Sequence, residues 1–234
     1  MISLYSGTPG SGKSNHATQE IYERLSLNKN VIGNFEINRD IARMTTLGYI
    51  KYSLHKKFKI NFKKYNMHKK FGRYYYVDNN YLTPQFLINF AKKFHKKTGK
   101  RESQTLVVID ECGILFNTRT WDSKNRLEWI KFFSMHRHYG FDFILISQSD
   151  RMIERQIRCL LEYDCKHRDG KHCGLFGLVL SLLQGGHFFC CVTYWYGVRE
   201  KVGFKYLPVS QRIFDLYDTF TVFDKEEQKI LDKE

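Results

Sequence analysis

Residues 7–14, with the sequence GTPGSGKS, have the types and spacing of a phosphate-binding loop. They match the pattern G-x-x-x-x-G-K-[ST], in which glycines let backbone N–H groups turn towards the phosphates. Lys13 would reach the β and γ oxygens, and Ser14 would offer its hydroxyl to Mg²⁺. The residues expected to bind the nucleotide are Gly7, Thr8, Pro9, Gly10, Ser11, Gly12, Lys13 and Ser14.

Polar residues also end two apolar runs, TLVVIDE at residues 105–111 and FDFILISQ at residues 141–148. Asp110 is expected to hold Mg²⁺ through a water, and Glu111 to polarise the attacking water. In a parallel sheet these strand ends share one edge with the loop, so the Gln148 amide could contact the γ-phosphate or the water. We therefore predict Lys13, Glu111 and Gln148 as catalytic residues, and Ser14 and Asp110 as metal ligands.

Four arginines lie in segments expected on the nucleotide side and are candidates for an arginine finger acting on a neighbouring subunit: Arg119, Arg151, Arg155 and Arg158. Each could equally be an ordinary surface arginine. Arg137 is expected at the opposite edge, because the helix that carries it must run away from the nucleotide before the next strand returns.

The positioning elements follow from hydrophobic periodicity. Strand-like runs occupy residues 2–5, 30–35, 105–110 and 141–147. Helical patterns occupy residues 13–27, 86–97 behind Thr83 and Pro84, 123–138, and a segment from Ser149 to Leu160. This alternation predicts an α/β fold with a mainly parallel sheet and flanking helices.

Two regions depart from the alternation. We expect residues 50–80 to form a basic, β-rich insertion, and residues 161–196 to form hairpin strands with a two-residue turn at Asp169-Gly170. A C-terminal tail is expected from about residue 205. Without a repeat or a low-complexity linker, the chain is predicted to be one domain, residues 1–234.

The net charge of +14 is concentrated in residues 51–100, which contain thirteen lysines and one arginine against a single acid, Asp78. Aromatic residues are interleaved with these lysines: Phe58, Phe62, Tyr65 and Tyr74 to Tyr76. Such a segment could bind single-stranded DNA through phosphate contacts and stacking, meet an anionic membrane, or simply be a solvated face. The sequence leaves these three interpretations open.

Six cysteines without a repeated spacing favour reduced thiols over a disulfide framework. Cys165, His167, His172 and Cys173 have the types of zinc ligands, but the predicted hairpin would point Cys173 to the other face, so zinc is not expected there. The longest apolar run, residues 173–183, is shorter than the roughly 20 residues of a membrane-spanning helix. No signal peptide and no transmembrane span are expected in this chain, and a cytoplasmic location is predicted.

Taken together, GTPGSGKS, VVIDE, MHRHYGFDFILISQ and the closing YDTF resemble the zonular occludens toxin (Zot) family, whose members include the assembly ATPases of filamentous phages. The resemblance is most specific in residues 136–148 and least specific in residues 50–80. It implies an additional-strand, RecA-like P-loop NTPase core that hydrolyses ATP with Mg²⁺, and a homo-oligomeric ring. It also implies that the protein exports phage DNA at the cytoplasmic face of the inner membrane while coat protein is added. Family members commonly continue into a membrane span and an external domain, so a naturally short form would need a membrane-bound partner for assembly.

Two other functions compete with this motor. A soluble nucleotide kinase is disfavoured by Glu111 and by the lack of an obvious arginine-rich lid. A nucleotide-binding module without hydrolysis is disfavoured by the intact set of Lys13, Ser14, Asp110 and Glu111. No guanine-reading Asn/Thr-Lys-x-Asp element is present, although this does not decide between ATP and GTP.

Overall fold

The computed structural model describes residues 1–60, 62, 64–96, 99, 101–116, 123–172 and 188–217. Its strands are β1 (Ile2–Ser6), β2 (Asn30–Gly33), β3 (Tyr74–Tyr76), β4 (Thr105–Ile109), β5 (Phe141–Ile146), β6 (Tyr163–Asp169), β7 (Phe189–Trp195) and β8 (Lys201–Leu207). They form one eight-stranded sheet in the order β3-β2-β4-β5-β1-β6-β7-β8. The strands from β3 to β6 in this order are parallel, whereas β7 runs antiparallel to both of its neighbours.

The helices are α1 (Lys13–Ser26), α2 (Arg39–Arg43), α3 (Thr46–Phe58), α4 (Pro84–Phe94), α5 (Cys112–Leu115), α6 (Ser123–Tyr139), α7 (Arg155–Arg158) and α8 (Gln211–Leu216). The start of α4 matches its sequence signature. The Thr83 side chain accepts a hydrogen bond from the Phe86 amide, and Pro84 occupies the first turn, where no backbone donor is needed.

The centre of the sheet confirms the predicted additional-strand arrangement, because β5 lies between β1 and β4. Every residue of these three strands is buried. Alternate side chains pack into two separate hydrophobic clusters, with Leu4 in one and Tyr5 in the other. Parallel strands covered on both faces are expected to be mainly apolar, as these are apart from buried Ser3, Ser6, Thr105 and Asp142. Since the three strands are parallel, the residues that follow them meet at one edge.

The expectation of a β-rich insertion at residues 50–80 is wrong. Helix α3 continues through Phe58, and within this segment only Tyr74–Tyr76 forms a named strand among the described residues. The Thr45 side chain caps α3 by accepting a hydrogen bond from the Gly48 amide. Lysine and leucine favour a helix once such a cap starts one, and this outweighed the β propensity of the interleaved aromatic residues.

The predicted hairpin at Asp169-Gly170 is also wrong. Residues Gly170–His172 form a 3₁₀ turn, and β6 pairs with β1 on one side and with β7 on the other. His167 therefore lies opposite Cys191 rather than opposite His172. Cys173 and the apolar run of residues 173–183 lie outside the described residues, as does Arg119.

The single helix predicted from Ser149 to Leu160 is divided into two short pieces. Ser149 caps a 3₁₀ turn at Asp150–Met152, and Glu154 then starts α7 by accepting hydrogen bonds from two backbone amides. The tail expected from about residue 205 instead contains the end of β8 and all of α8. In the described part of the chain, each helix is too short or too polar to cross a bilayer. Whether residues 1–234 form a single domain stays a prediction.

Candidate nucleotide-binding site

The phosphate-binding loop connects β1 to α1 at the carboxyl edge of the sheet, and two of its glycines are required by the backbone. Gly7 and Gly12 have φ values of 145° and 89°, where L side chains are disfavoured. A Cβ atom at Gly12 would lie 2.5 Å from Cγ of Phe189, and one at Gly7 would lie 2.5 Å from the carbonyl oxygen of His167. The loop is therefore held closely against β6 and β7.

Lys13 begins α1 and turns its side chain back over the loop. Its ammonium group donates hydrogen bonds to the carbonyl oxygens of Gly7 at 2.8 Å and Thr8 at 2.9 Å. Burial lowers the pKa of Lys13, and the nearby carboxylates of Glu111 and Asp110 oppose this shift. Acids and carbonyl oxygens thus compensate this buried cation, and the oxygens of an anionic ligand would replace the carbonyl oxygens.

Ser14 and Asp110 meet as a pair. The Ser14 hydroxyl donates to Oδ2 of Asp110 at 3.4 Å, and the Tyr217 hydroxyl donates to the same oxygen at 3.3 Å. Burial is the largest cause of a raised pKa at Asp110, and it also raises the pKa of Tyr217 to about 12. A serine hydroxyl beside a carboxylate supplies the oxygen ligands that Mg²⁺ prefers.

Asn34 was missed in the sequence, although it directly follows β2. Its side chain accepts a hydrogen bond from the Asp110 amide at 2.7 Å and donates to the Asp110 carbonyl oxygen at 2.8 Å. This pair of bonds continues the β2–β4 pairing past the last strand residue and fixes the backbone of Asp110. The sequence did contain a signal for Asn34, because it is a polar residue immediately after a strand that neighbours β4.

Glu111 follows with φ 47° and ψ 44°, in the left-handed region, and stands before the first residue of α5. That conformation costs a non-glycine residue about 1–2 kcal/mol. Its amide donates to Oδ1 of Asp110 at 2.8 Å, and its side chain is exposed. Gln148 is also exposed, and its carbonyl oxygen accepts a bond from the Gly7 amide at 3.4 Å. Both residues lie at the expected edge, and their catalytic roles stay predictions.

Arg137 lies at the edge of the sheet that the topology predicts. Arg137 donates to Glu162 at 2.6 Å, and the other carboxylate oxygen of Glu162 accepts from the Ile2 amide, which places Arg137 at the amino edge of β1. Arg151 and Arg155 are exposed. The Nε atom of Arg158 is buried and makes no hydrogen bond to the described residues. The role of each as a finger stays a prediction.

A pocket of about 320 Å³ adjoins the loop, and residues of β7 and α8 form its far wall. That wall consists of Phe189, Ile213, Phe214 and Tyr217. Within the described part of the chain, the buried hydroxyl of Ser11 in the loop has no hydrogen-bond partner. An unused polar group, a lysine over glycine-rich backbone and an apolar wall fit a nucleotide, and the Ser14–Asp110 pair fits its Mg²⁺.

Solved structures with this fold include a DnaB-like replicative helicase, with a TM-score of 0.57 and 14% identity over 90% of this chain and 56% of that one. The genome packaging NTPase B204 of Sulfolobus turreted icosahedral virus 2 has a TM-score of 0.50 and 14% identity over 88% of this chain and 95% of that one. These similarities establish the P-loop NTPase fold.

Similarity in sequence points to phage proteins. The gene 1 protein of Enterobacteria phage I2-2 is 30% identical over 132 residues, which cover 53% of this chain and 36% of the relative. The gene 1 protein of Enterobacteria phage M13 is 28% identical over 127 residues, which cover 50% of this chain and again 36% of the relative. The match thus spans about a third of the length of these relatives. The family described as zonular occludens toxin (Zot) matches residues 1–222, nearly the whole chain. The chain therefore belongs to the Zot family.

Proposed function

We propose that this protein is a Mg²⁺-dependent ATPase that drives filamentous phage assembly. The observation that carries the proposal is the meeting of Lys13, Ser14 and Asp110 at one edge of the sheet, with Ser14 3.4 Å from Asp110 and Glu111 next in the chain. A phosphate-binding loop that merely turned the chain would not need a carboxylate pair beside it.

Each residue has a distinct part in this proposal. Lys13 exchanges its carbonyl partners for the β and γ oxygens of ATP, and Ser14 and Asp110 hold Mg²⁺, which neutralises charge developing on the phosphates. Glu111 orients and polarises the attacking water, and Gln148 contacts the water or the γ-phosphate. The apolar wall of Phe189 and Phe214 suits the face of a purine ring.

The coupling of hydrolysis to DNA export is proposed from the family and from the gene 1 proteins of phages. In this proposal the protein forms a homo-oligomeric ring on single-stranded DNA, at the cytoplasmic face of the host inner membrane. A membrane-bound assembly protein is its partner. An arginine of one subunit then completes the site of the next, and Arg151 and Arg155 are the exposed candidates.

Measuring ATP turnover with and without single-stranded DNA tests this function. We expect Mg²⁺-dependent turnover that rises when single-stranded DNA is added, with double-stranded DNA as the comparison. Absence of turnover under all conditions would contradict the enzyme. Turnover that is indifferent to DNA, together with phosphate transfer to a small acceptor, would support the kinase alternative instead.

The structure also bears on the basic segment. Two of the aromatic residues expected to stack on bases are engaged elsewhere: Tyr74 is buried with its hydroxyl bonded to the Phe35 carbonyl, and Tyr75 packs against Phe90. By contrast, α3 presents an exposed apolar stripe: Leu47, Ile50, Leu54 and Phe58. Their spacing of three, four and four places them on one face of the helix.

We propose that this α3 stripe and its neighbouring lysines dock on anionic lipid headgroups. An apolar face flanked by lysines is typical of helices that lie in a membrane interface, and Lys57 and Lys59 are both exposed beside Phe58. Binding of the same segment to single-stranded DNA is the alternative. Comparing anionic vesicles with single-stranded DNA as binding partners distinguishes the two.

A further inference from the structure

Directly beneath the phosphate-binding loop, three elements bring together soft metal ligands. His16 comes from the first turn of α1, His167 from β6 and Cys191 from β7, and all three are buried. One ligand atom from each lies within 4.8 Å of the other two. The strand register explains part of this convergence, because His167 and Cys191 are paired directly across β6 and β7.

A second thiol, that of Cys165, lies beside this cluster. Cys165 precedes His167 by two residues on β6, so the two side chains share one face of the sheet, and both are buried while Lys166 between them is exposed. Its thiol lies 3.7 Å from the hydroxyl of Thr193, its partner across β6 and β7, two residues from Cys191. The cluster itself therefore contains two imidazoles and one thiol, and a second thiol lies beside it on the same face of the sheet.

The imidazoles are already oriented for ligation. Nδ1 of His167 lies 3.3 Å from the Ser6 carbonyl oxygen, which can only accept, so Nδ1 carries the proton and Nε2 carries a lone pair. That Nε2 accepts a hydrogen bond from Nδ1 of His16 at 2.9 Å, and a cation bound between the two rings would displace this proton. The outer nitrogen of His16 lies 3.7 Å from Oε1 of Glu20 and 3.4 Å from Nζ of Lys205, which itself donates to Glu20 at 3.2 Å. Carbonyl and carboxylate partners on the outer nitrogens are the usual support of metal-binding histidines.

We propose that His16, His167, Cys191 and Cys165 form a binding site for a thiophilic divalent cation of the zinc class. Tetrahedral bonds of about 2.0–2.3 Å place ligand atoms about 3.3–3.8 Å apart, so side-chain rotations would adapt the three-residue cluster and bring in Cys165 as the fourth ligand. Four protein ligands would leave no open position, which makes the site structural rather than catalytic.

Such a cation would stabilise the phosphate-binding loop from the side of the sheet. His16 lies three residues after Lys13, and its amide donates to the Gly12 carbonyl oxygen at 3.0 Å. The Cα of Gly7 is held against the His167 carbonyl. A cation joining His16 to His167 would therefore tie both ends of the loop to β6. These side chains are separate from those of the nucleotide site, and cation binding here does not depend on ATP hydrolysis.

Metal content after zinc loading and buffer exchange tests the proposal on the full chain. We expect about one zinc per chain in the parent protein, and a loss of most of it in Cys191→Ser and in His167→Asn. Cys159→Ser is the matched control, because Cys159 is an exposed cysteine outside the cluster and its variant should keep the metal. Glu20→Gln should weaken zinc binding by roughly 10-fold through His16.

A second readout covers the case in which these variants fold poorly. Cobalt added to the parent protein should produce a thiolate-to-metal charge-transfer band, which a site of oxygen ligands would not produce. Asp110→Asn should leave both the zinc content and this band unchanged. The proposal is overturned if the parent protein retains no zinc and shows no such band. It is equally overturned if zinc is lost in Asp110→Asn and kept in Cys191→Ser, since the metal would then lie at the nucleotide site.

Discussion

The phosphate-binding edge and the basic segment from α3 to β3 were equally conspicuous in the sequence, yet only the first folded as expected. At the edge, the backbone geometry admits few residue types. Gly12, for example, has a left-handed conformation and leaves no room for a side chain beside Phe189. In the basic segment, lysines and aromatic residues are compatible with a strand, a helix or a loop. A motif that specifies a backbone conformation predicts structure, whereas a composition does not.

The sharpest test of this contrast is Lys13→Ala at the edge. We expect turnover to be abolished and ATP binding to weaken, because the side-chain cation placed over the loop is removed. Steady-state hydrolysis and nucleotide binding are the measurements. Unchanged turnover would exclude the loop from the mechanism. The motif at the phosphate-binding edge would then predict function no better than the composition of the basic segment does.

Glu111→Gln should separate binding from hydrolysis. The substitution keeps the size of the side chain but removes the carboxylate that polarises water, so turnover should fall about 10²-fold or more while nucleotide still binds. Both quantities can be measured on the same preparation. If nucleotide binding fell and turnover persisted, Glu111 would serve to order the loop or the metal.

In the basic segment, the double variant Lys57→Gln/Lys59→Gln should weaken binding to anionic vesicles by roughly 30-fold, at about 1 kcal/mol per lysine near the surface. ATP turnover without membranes should be unchanged. The double variant Lys92→Gln/Lys93→Gln makes the same charge change on α4 and is the control.

Single-stranded DNA binding by the same variants sharpens the comparison further. If Lys57 and Lys59 contact DNA phosphates, removing them should reduce the slope of log affinity against log salt by about 0.7 per lysine. Vesicle binding that is unaffected, together with this smaller slope, would assign the segment to DNA and contradict the lipid proposal.

The smallest expected effect is that of Tyr217→Phe, which removes a hydrogen bond to Asp110. Turnover at neutral pH should change within about fivefold, since one hydrogen bond contributes about 1 kcal/mol. The Tyr217 bond lowers the pKa of Asp110, so its loss should raise that pKa further. Because only the carboxylate binds Mg²⁺, the acidic limb of the pH–rate profile should then move to higher pH.

How much the sequence predicted depended on how local the determinants were. The central strands, α1, α4 and the capping residue Thr83 were predicted because apolar runs and caps act within a few residues. The two hydrogen bonds between Asn34 and Asp110 join residues 76 positions apart. The pairing of His167 with Cys191 depends on the register between β6 and β7. Periodicity contains no information on such tertiary pairings.

The same reason explains the errors at residues 150–172. Asp169-Gly170 is a good hairpin dipeptide, but a turn of this kind forms only if the flanking runs pair with each other. Here β6 is instead held between β1 and β7. The side chains around His167 were consequently assigned to the wrong partners, and His16 could not be associated with them.

The hydrogen bonds from Lys13 to Gly7 and Thr8 have a consequence for ligand selectivity. The third N–H of this ammonium group can donate to a first phosphate oxygen, but each further oxygen must displace a carbonyl oxygen, so the lysine then exchanges partners and gains only the difference. A singly charged anion offers little beyond what the carbonyls already supply, whereas adjacent phosphate groups offer charge and several oxygens at once. The loop thus imposes a threshold of ligand charge, and in this way it discriminates against the abundant small anions that surround it.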